Sequence, residues 1–516
     1  MRWKATLWSK VRAVGLVSVG LFSLDAVGQD WSQWRGNHRD GKVAEFTAPA
    51  AWPKELTKKW SIEVGNGVAT PALVGDRLYV FARKDGNEIA RCLNAETGDE
   101  IWQDSYPSEG TTGGASGFPG PRATPTVVDG TVITFGVRGI LSCYDAASGE
   151  LTWRKDDFPG KWPRFYVSSS PIVVDGLCIA QQGSEADGAI VAYDLASGEE
   201  KWRSENMGPS YASPMVIEVD GTNVVIAATE NDLVGLSAAD GKELWKIAFT
   251  QGRYNAATPV VDGQTLILAG PGSGISAIAL VKDGDSLKEE QLWNNTDNSV
   301  QFSSPVLKDG LVFGLSNNNT LFAINTSTHE TAWSNPLGGP EPPSPFGPGP
   351  FGPGGFGPGG GRGRGERGGP GGRGDRPRED ERTGDRADAS VPQDVLAQIA
   401  EPQGPEVQNS TAEPPTTSEG ERGGRGEGRG PEGRRGFGRG RGRGGRGGYG
   451  SVVDAGSVMM VLTPAMELVV YAPSATEYTE LGRYKVAETA TYAYPVASGK
   501  RIFIKDQDNL SLWTAE

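Results

Sequence analysis

Apolar positions in this chain fall in short runs that alternate with polar turns, and the pattern returns at a near-constant interval. In PTVVDGTVITFG, from Pro125, and PIVVDGLCIAQQ, from Pro171, an apolar run meets an Asp-Gly turn and a second apolar run follows. Such a pair reads as two short strands joined by a tight hairpin. Each pair opens on the tripeptide Ala/Ser-Thr/Ser-Pro. It occurs at Ala69-Thr70-Pro71, Ala123-Thr124-Pro125, Ser169-Ser170-Pro171, Ala212-Ser213-Pro214, Ala257-Thr258-Pro259 and Ser303-Ser304-Pro305. The prolines stand 54, 46, 43, 45 and 46 residues apart.

A second motif closes each unit. NAETGDEIW (Asn94 to Trp102), DAASGELTW (Asp145 to Trp153) and DLASGEEKW (Asp194 to Trp202) share one spacing, and SAADGKELW (Ser237 to Trp245) is a close variant. Asp or Asn opens a turn by bonding the backbone amides ahead of it, and Gly supplies a positive φ. Trp then lands at a fixed offset on the outer strand, where it packs between neighbouring sheets. The fifth copy keeps only Trp293, and the sixth, NTSTHETAW, has His329 in place of Gly and ends at Trp333. Trp60, Trp102, Trp153, Trp202, Trp245, Trp293 and Trp333 are therefore expected to be structural blade tryptophans, with Tyr484 closing a weaker seventh unit that begins near Ser451. The last unit starts at Ala493-Tyr494-Pro495 and stops one strand short, at Trp513. The strand TKKWSIEVG around Trp60 supplies the missing piece from the other end of the chain.

Units of this length with four short strands are propeller blades, and closing the ring with the N-terminal strand protects the sheet edges. The expected fold is all-β: an eight-bladed β-propeller of four-stranded antiparallel blades, the N-terminal strand closing the last blade, with a long disordered insert. The expected order is a signal peptide at 1–28, a lead-in at 29–54, the closing strand and blades 1 to 6 at 55–337, the insert at 338–450, and blades 7 and 8 at 451–516. About 47 residues then fall to each of eight blades.

Composition sharpens this division. The insert holds 17 Arg, no Lys and 16 Asp or Glu, so it is nearly neutral, while the whole chain carries a net −14. Its Gly/Pro/Arg-rich sequence cannot bury enough apolar surface to fold, although Val391 to Ala400 has apolar residues at helical spacing. The acidic remainder argues against a nucleic-acid partner. Arg2, Lys4, Lys10 and Arg12, the apolar run Ala13 to Leu24, and Ala26-Val27-Gly28 form the pattern of an export signal. That run is short for a membrane span. The implied location is the periplasm or the exterior.

The repeats resemble those of the pyrroloquinoline-quinone (PQQ) family, as found in quinoprotein alcohol dehydrogenases and in the outer-membrane assembly lipoprotein BamB. The segment DWSQWRGNHRDG, Asp30 to Gly41, is similar to the opening of secreted PQQ-like propellers from planctomycete bacteria. Enzymes of this family hold the quinone over the propeller mouth with calcium, a stacking Trp, an Asp base and usually adjacent cysteines. Here Cys92, Cys143 and Cys178 are 51 and 35 residues apart, and no motif matches the calcium ligands. With only His38 and His329, His-rich zinc sites and a Ser-His-Asp triad are not supported. No catalytic residue, metal or cofactor is expected.

The tripeptide sets where a site would lie. If the innermost strand of each blade starts there, the residue three before each Pro rings one mouth. Those positions are Arg122, Ser168, Tyr211, Ala256, Phe302 and Tyr492, and the loops leading in add Trp162, Arg164, Tyr166, Arg253 and Tyr254. Aromatic and Arg side chains are the usual content of a binding hot spot. The resulting expectation is an exported, monomeric, non-catalytic scaffold that binds an envelope protein or polymer. The alternatives are a PQQ- and calcium-dependent oxidoreductase of alcohols or sugars, and a carbohydrate-binding propeller.

Overall fold

The computed structural model of the chain describes residues 30–250, 255–338 and 450–516. The expected signal segment 1–28, the run Val391 to Ala400 and nearly all of the insert lie outside the described residues, as do Arg253 and Tyr254.

Every described strand belongs to one of eight four-stranded antiparallel sheets, the blades of a propeller. The innermost strands of blades 1 to 6 are Ala72–Val74, Thr126–Val128, Ile172–Val174, Met215–Val219, Val260–Asp262 and Val306–Lys308; those of blades 7 and 8 are Ser451–Asp454 and Val496–Ser498. Wherever the tripeptide occurs, its Pro immediately precedes the innermost strand. Pro there costs no ladder hydrogen bond, because it stands just outside the strand.

Blade 8 takes its outer strand from the other end of the chain. Thr57–Glu63 pairs antiparallel with Asn509–Thr514, from Thr57 opposite Thr514 to Glu63 opposite Asn509. Lys505 reinforces this closure: its buried ammonium donates to the carbonyls of Gly67 (2.9 Å), Asp506 (3.0 Å), Gly65 (3.3 Å) and Gln507 (3.3 Å).

The core is divided among the joints between blades. Tyr79, Phe81, Cys92 and Trp102 of blade 1 pack on Val132 and Tyr144 of blade 2, and Cys143 and Trp153 pack on Cys178 and Tyr193 at the next joint. All three cysteines are buried and unbridged. The blade tryptophans sit at these joints. Trp102, Trp153 and Trp202 each donate Nε1–H to a carbonyl of the following blade, that of Ala146, Leu195 and Ala238 respectively, at 2.9–3.0 Å. Trp333 reaches Ser474 O of blade 7 at 2.8 Å.

A hydroxyl belt runs around the axis. The amide of Thr124 donates to Ser170 Oγ, Ser170 to Ser213 Oγ, Ser213 to Thr258 Oγ1 and Thr258 to Ser304 Oγ, at 2.9–3.2 Å. Tyr494 N–H reaches Thr70 Oγ1 at 2.9 Å, joining blade 8 to blade 1. In five of the six tripeptides the middle residue's hydroxyl satisfies a buried amide of the preceding blade; Thr124 Oγ1 has no such partner among the described residues.

The lead-in fills the axis. Trp31 exchanges both backbone hydrogen bonds with Leu73 of blade 1. Ser32 O accepts from Val127 of blade 2, and Arg39 donates to Ser170 O and Pro171 O of blade 3. Trp34 Nε1 reaches Thr258 of blade 5, and Arg35 donates to Pro305 O of blade 6. Val43 then pairs with Asp454 of blade 7, and Thr47 with Gly499 of blade 8.

Candidate functional site

The residues three before each Pro meet around one cavity of about 190 Å³. Arg122, Ser168, Tyr211, Ala256, Phe302 and Tyr492 all line it, and so does Val68, which holds the same offset in blade 1. Each of the seven is half-buried, whereas the residue after it is buried. The chain turns at this point from the rim into the innermost strand, so one side chain from each of seven blades faces the axial opening.

Trp34 and Tyr494 also line the cavity, in edge-to-face contact with centroids 5.1 Å apart. Trp34 comes from the lead-in that fills the axis behind them. Phe118 meets Tyr492 edge to face at 4.8 Å, and Phe165 lies 6.0 Å from Tyr211. Burial pushes the Tyr492 hydroxyl up to about 12, so it stays a neutral donor. Arg122 ties two rim loops together: Nη1 donates to Phe165 O at 3.1 Å, and Nη2 donates to Phe118 O at 3.1 Å and Ala115 O at 3.4 Å.

Arg164 is exposed and lines a neighbouring cavity of about 360 Å³ together with Glu185, Glu230, Ser210, Phe165 and Tyr211. Glu185 Oε1 accepts from the Arg164 amide at 2.7 Å and from Tyr211 Oη at 3.4 Å. The other loop aromatics stand apart. Tyr166 is buried with Ala115 and Val137, and its hydroxyl accepts from the Thr112 amide at 3.0 Å. Trp162 stacks on Tyr166 at 5.7 Å under the Arg138 guanidinium. These two rings support the rim from behind rather than facing the cavity. The rim loops begin where the outer strands of blades 1 and 2 end, at Pro107 and Lys155.

Sequence reasoning did not place Val68, Phe118, Phe165, Trp34 or Tyr494 at the mouth. Val68 was within reach by the same offset from Pro71. Trp34 was not, since nothing in the lead-in marks it as filling the axis.

A family model described as outer membrane protein assembly factor BamB matches residues 32–157 and 85–335. Quinohemoprotein alcohol dehydrogenase ADH IIB of Pseudomonas putida is 43% identical over 103 residues, which are 19% of this chain and 13% of that protein. BamB of Burkholderia pseudomallei is 26% identical over 277 residues, 53% of this chain and 65% of that protein. The chain thus spans about an eighth of the first relative and just under two thirds of the second. Among solved structures, BamB from Moraxella catarrhalis superposes with a TM-score of 0.51 at 13% identity, covering 89% of this chain and 97% of that one. Quinohemoprotein alcohol dehydrogenase ADHIIG from Pseudomonas putida gives 0.56 at 12% identity, covering 95% and 81%. At such identities the superpositions speak for the fold alone. With a family model matched over more than half its length and eight four-stranded blades, the chain belongs to the BamB-like family of PQQ-repeat β-propellers.

Proposed function

We propose that this protein is an exported, non-catalytic scaffold whose axial cavity holds an apolar or aromatic segment of a cell-envelope protein or polymer. The observation that carries this reading is the convergence of Tyr211, Phe302 and Tyr492, one from each of three blades, with Phe118, Phe165 and Trp34 on one cavity. Rigid aromatic walls on a closed ring lose little entropy on binding. The assembly role in the name of the BamB relatives supports a protein partner in the envelope.

The cavity does not fit a quinone held over calcium. Calcium takes six to eight oxygen ligands, with carboxylates prominent among them. Among the described residues the cavity lining carries hydroxyls and one guanidinium but no carboxylate or carboxamide side chain. Among the described residues the neighbouring cavity brings the carboxylates of Glu185 and Glu230, and Glu185 is already engaged. Among the described residues no three His, Cys, Asp or Glu side chains gather as a metal site.

Trp34 makes the cavity its own fluorescent reporter. We expect titration of the full chain with synthetic peptides of alternating aromatic and polar residues to shift tryptophan emission saturably. PQQ with calcium should leave it unchanged and support no dye reduction with alcohols or sugars. Calcium-dependent PQQ binding with turnover would make the protein an oxidoreductase and end the scaffold reading. Saturable binding of a glycan in place of the peptides would make it a carbohydrate-binding propeller.

A further inference from the structure

Two arginines of the lead-in are buried in the axis with no counter-charge among the described residues. Arg35 and Arg39 are 0% and 2% exposed, and both adopt left-handed backbone, with φ of 60° and 58°. A non-glycine residue pays for that conformation, so the turn is built to bring these side chains inward. Arg39 spends Nη1 on Gln33 Oε1 and Pro171 O and Nη2 on Ser170 O, all at 2.9–3.0 Å. Arg35 spends only Nη2, on Pro305 O and Asp40 O. The two guanidiniums therefore anchor on blades 3 and 6.

Three buried nitrogens are left over: Nε and Nη1 of Arg35 and Nε of Arg39 have no hydrogen-bond partner among the described residues. Among the described residues neither guanidinium has a carboxylate partner. Asp40 faces Lys42 at 3.9 Å, and Asp454 faces Lys308 at 3.1 Å. The two cations also feel each other, since burial and the charge of Arg35 push Arg39 down to about 9. Buried charge of one sign, with donors unmet, calls for an anion.

We infer that the axis of the propeller binds a small inorganic anion of halide size between Arg35 and Arg39. A halide accepts several N–H donors from any direction and needs no counter-donor. A larger oxyanion suits the site less well. The surroundings are tightly packed: a β-carbon on Gly41 would lie 2.8 Å from Val306 Cγ2 and 3.1 Å from Arg35 Nη2. The anion is a structural ligand. It offsets one of the two positive charges in the plug that spans the blades, and it lies in the axis behind the aromatic cavity.

The test uses the full chain, exchanged into gluconate and titrated with chloride. Excess ³⁵Cl line broadening is expected, together with a saturable rise in Tm of about 2–4 °C. Arg39→Gln should abolish both while Lys500→Gln, at the exposed surface, keeps both. Line width equal in wild type and Arg39→Gln overturns the inference and leaves water as the partner of the orphan donors. If Arg39→Gln does not fold, bromide-soaked crystals of the wild type decide. An anomalous peak between Arg35 and Arg39 supports the site, and bromide found only at the surface sinks it.

Discussion

Gly149 of blade 2 lies flat against the Trp102 indole of blade 1, so close that a β-carbon on it would come within 2.5 Å of Cδ2. The same contact recurs where Gly198 meets Trp153 and Gly241 meets Trp202, at 2.7 and 2.5 Å. Gly149 also has φ +77°, so its residue type answers two demands at once. Gly130, at φ +73°, answers only the backbone demand, with nothing within 4 Å. Gly149→Ala should cost about 2–4 kcal/mol, from left-handed strain plus overpacking of the joint. Gly130→Ala should cost only about 1–2 kcal/mol. Denaturant unfolding of the pair reads the difference. Equal losses would show that the indole yields and the joint is soft.

The hydroxyl belt predicts a sharp contrast at Ser213. Its Oγ accepts the buried Ser170 amide at 2.9 Å. Ser213→Ala leaves that donor unmet and should cost about 1–3 kcal/mol. Ser213→Thr restores the acceptor and should cost less than 1 kcal/mol, as Thr70 and Thr258 already play this part. Equal unfolding midpoints for the two variants would remove the belt from the account of stability.

Lys505 gives the ring closure a pH signature. Burial brings its pKa from 10.5 down to about 8, outweighing the nearby Asp506 and Asp508. Between those values the unfolded chain holds more protons than the folded one, so the contribution of Lys505 to stability rises as pH rises from about 8 toward 10.5. Lys505→Met should flatten that slope. It should also cost about 2–4 kcal/mol at neutral pH, because four carbonyls lose a charged donor. Urea midpoints at several pH values check both.

Above that window the tyrosines act in the opposite sense. Burial raises Tyr79 to about 12, and raises Tyr106 and Tyr471 well above the ordinary value of 10.0. The folded state therefore keeps protons that the unfolded state gives up, and stability falls as pH climbs past 10. Absorbance at 295 nm should show these phenols ionising only together with unfolding. Reversible ionisation in the folded protein would contradict their burial.

At the cavity, Tyr211→Ala and Phe302→Ala should each weaken peptide binding by about thirty-fold or more, the scale of an interface hot spot. Trp162→Ala, which removes a ring behind the rim, should change it by less than about five-fold. Fluorescence titration measures all three. A larger effect from Trp162 than from Tyr211 would move the binding face off the axis.

Much of the architecture is legible in residue order. The proline spacing, the turn-to-Trp motif and the orphan strand around Trp60 specify blades, joints and closure, because each is a local pattern repeated along the chain. The offset of three from Pro places seven side chains on one cavity, since an innermost strand always enters the axis the same way. Local patterns stop there. His329 at a turn-glycine position reads as a blemish, yet it holds φ 65° and stacks on Trp293 at 5.8 Å. Trp162 and Tyr166 look like mouth residues by loop position, but they pair with each other behind the rim.

By itself, then, the sequence determined the number of blades, their order and the ring of residues at one opening, because strand periodicity and turn chemistry act over a few neighbours. Only the tertiary structure decided that the lead-in fills the axis, that Trp34 joins Tyr494 in the cavity wall, and that Arg35 and Arg39 are buried with no counter-charge among the described residues. Those contacts join residues as far apart as Trp34 and Tyr494, and they exist only once eight sheets have closed around a common centre.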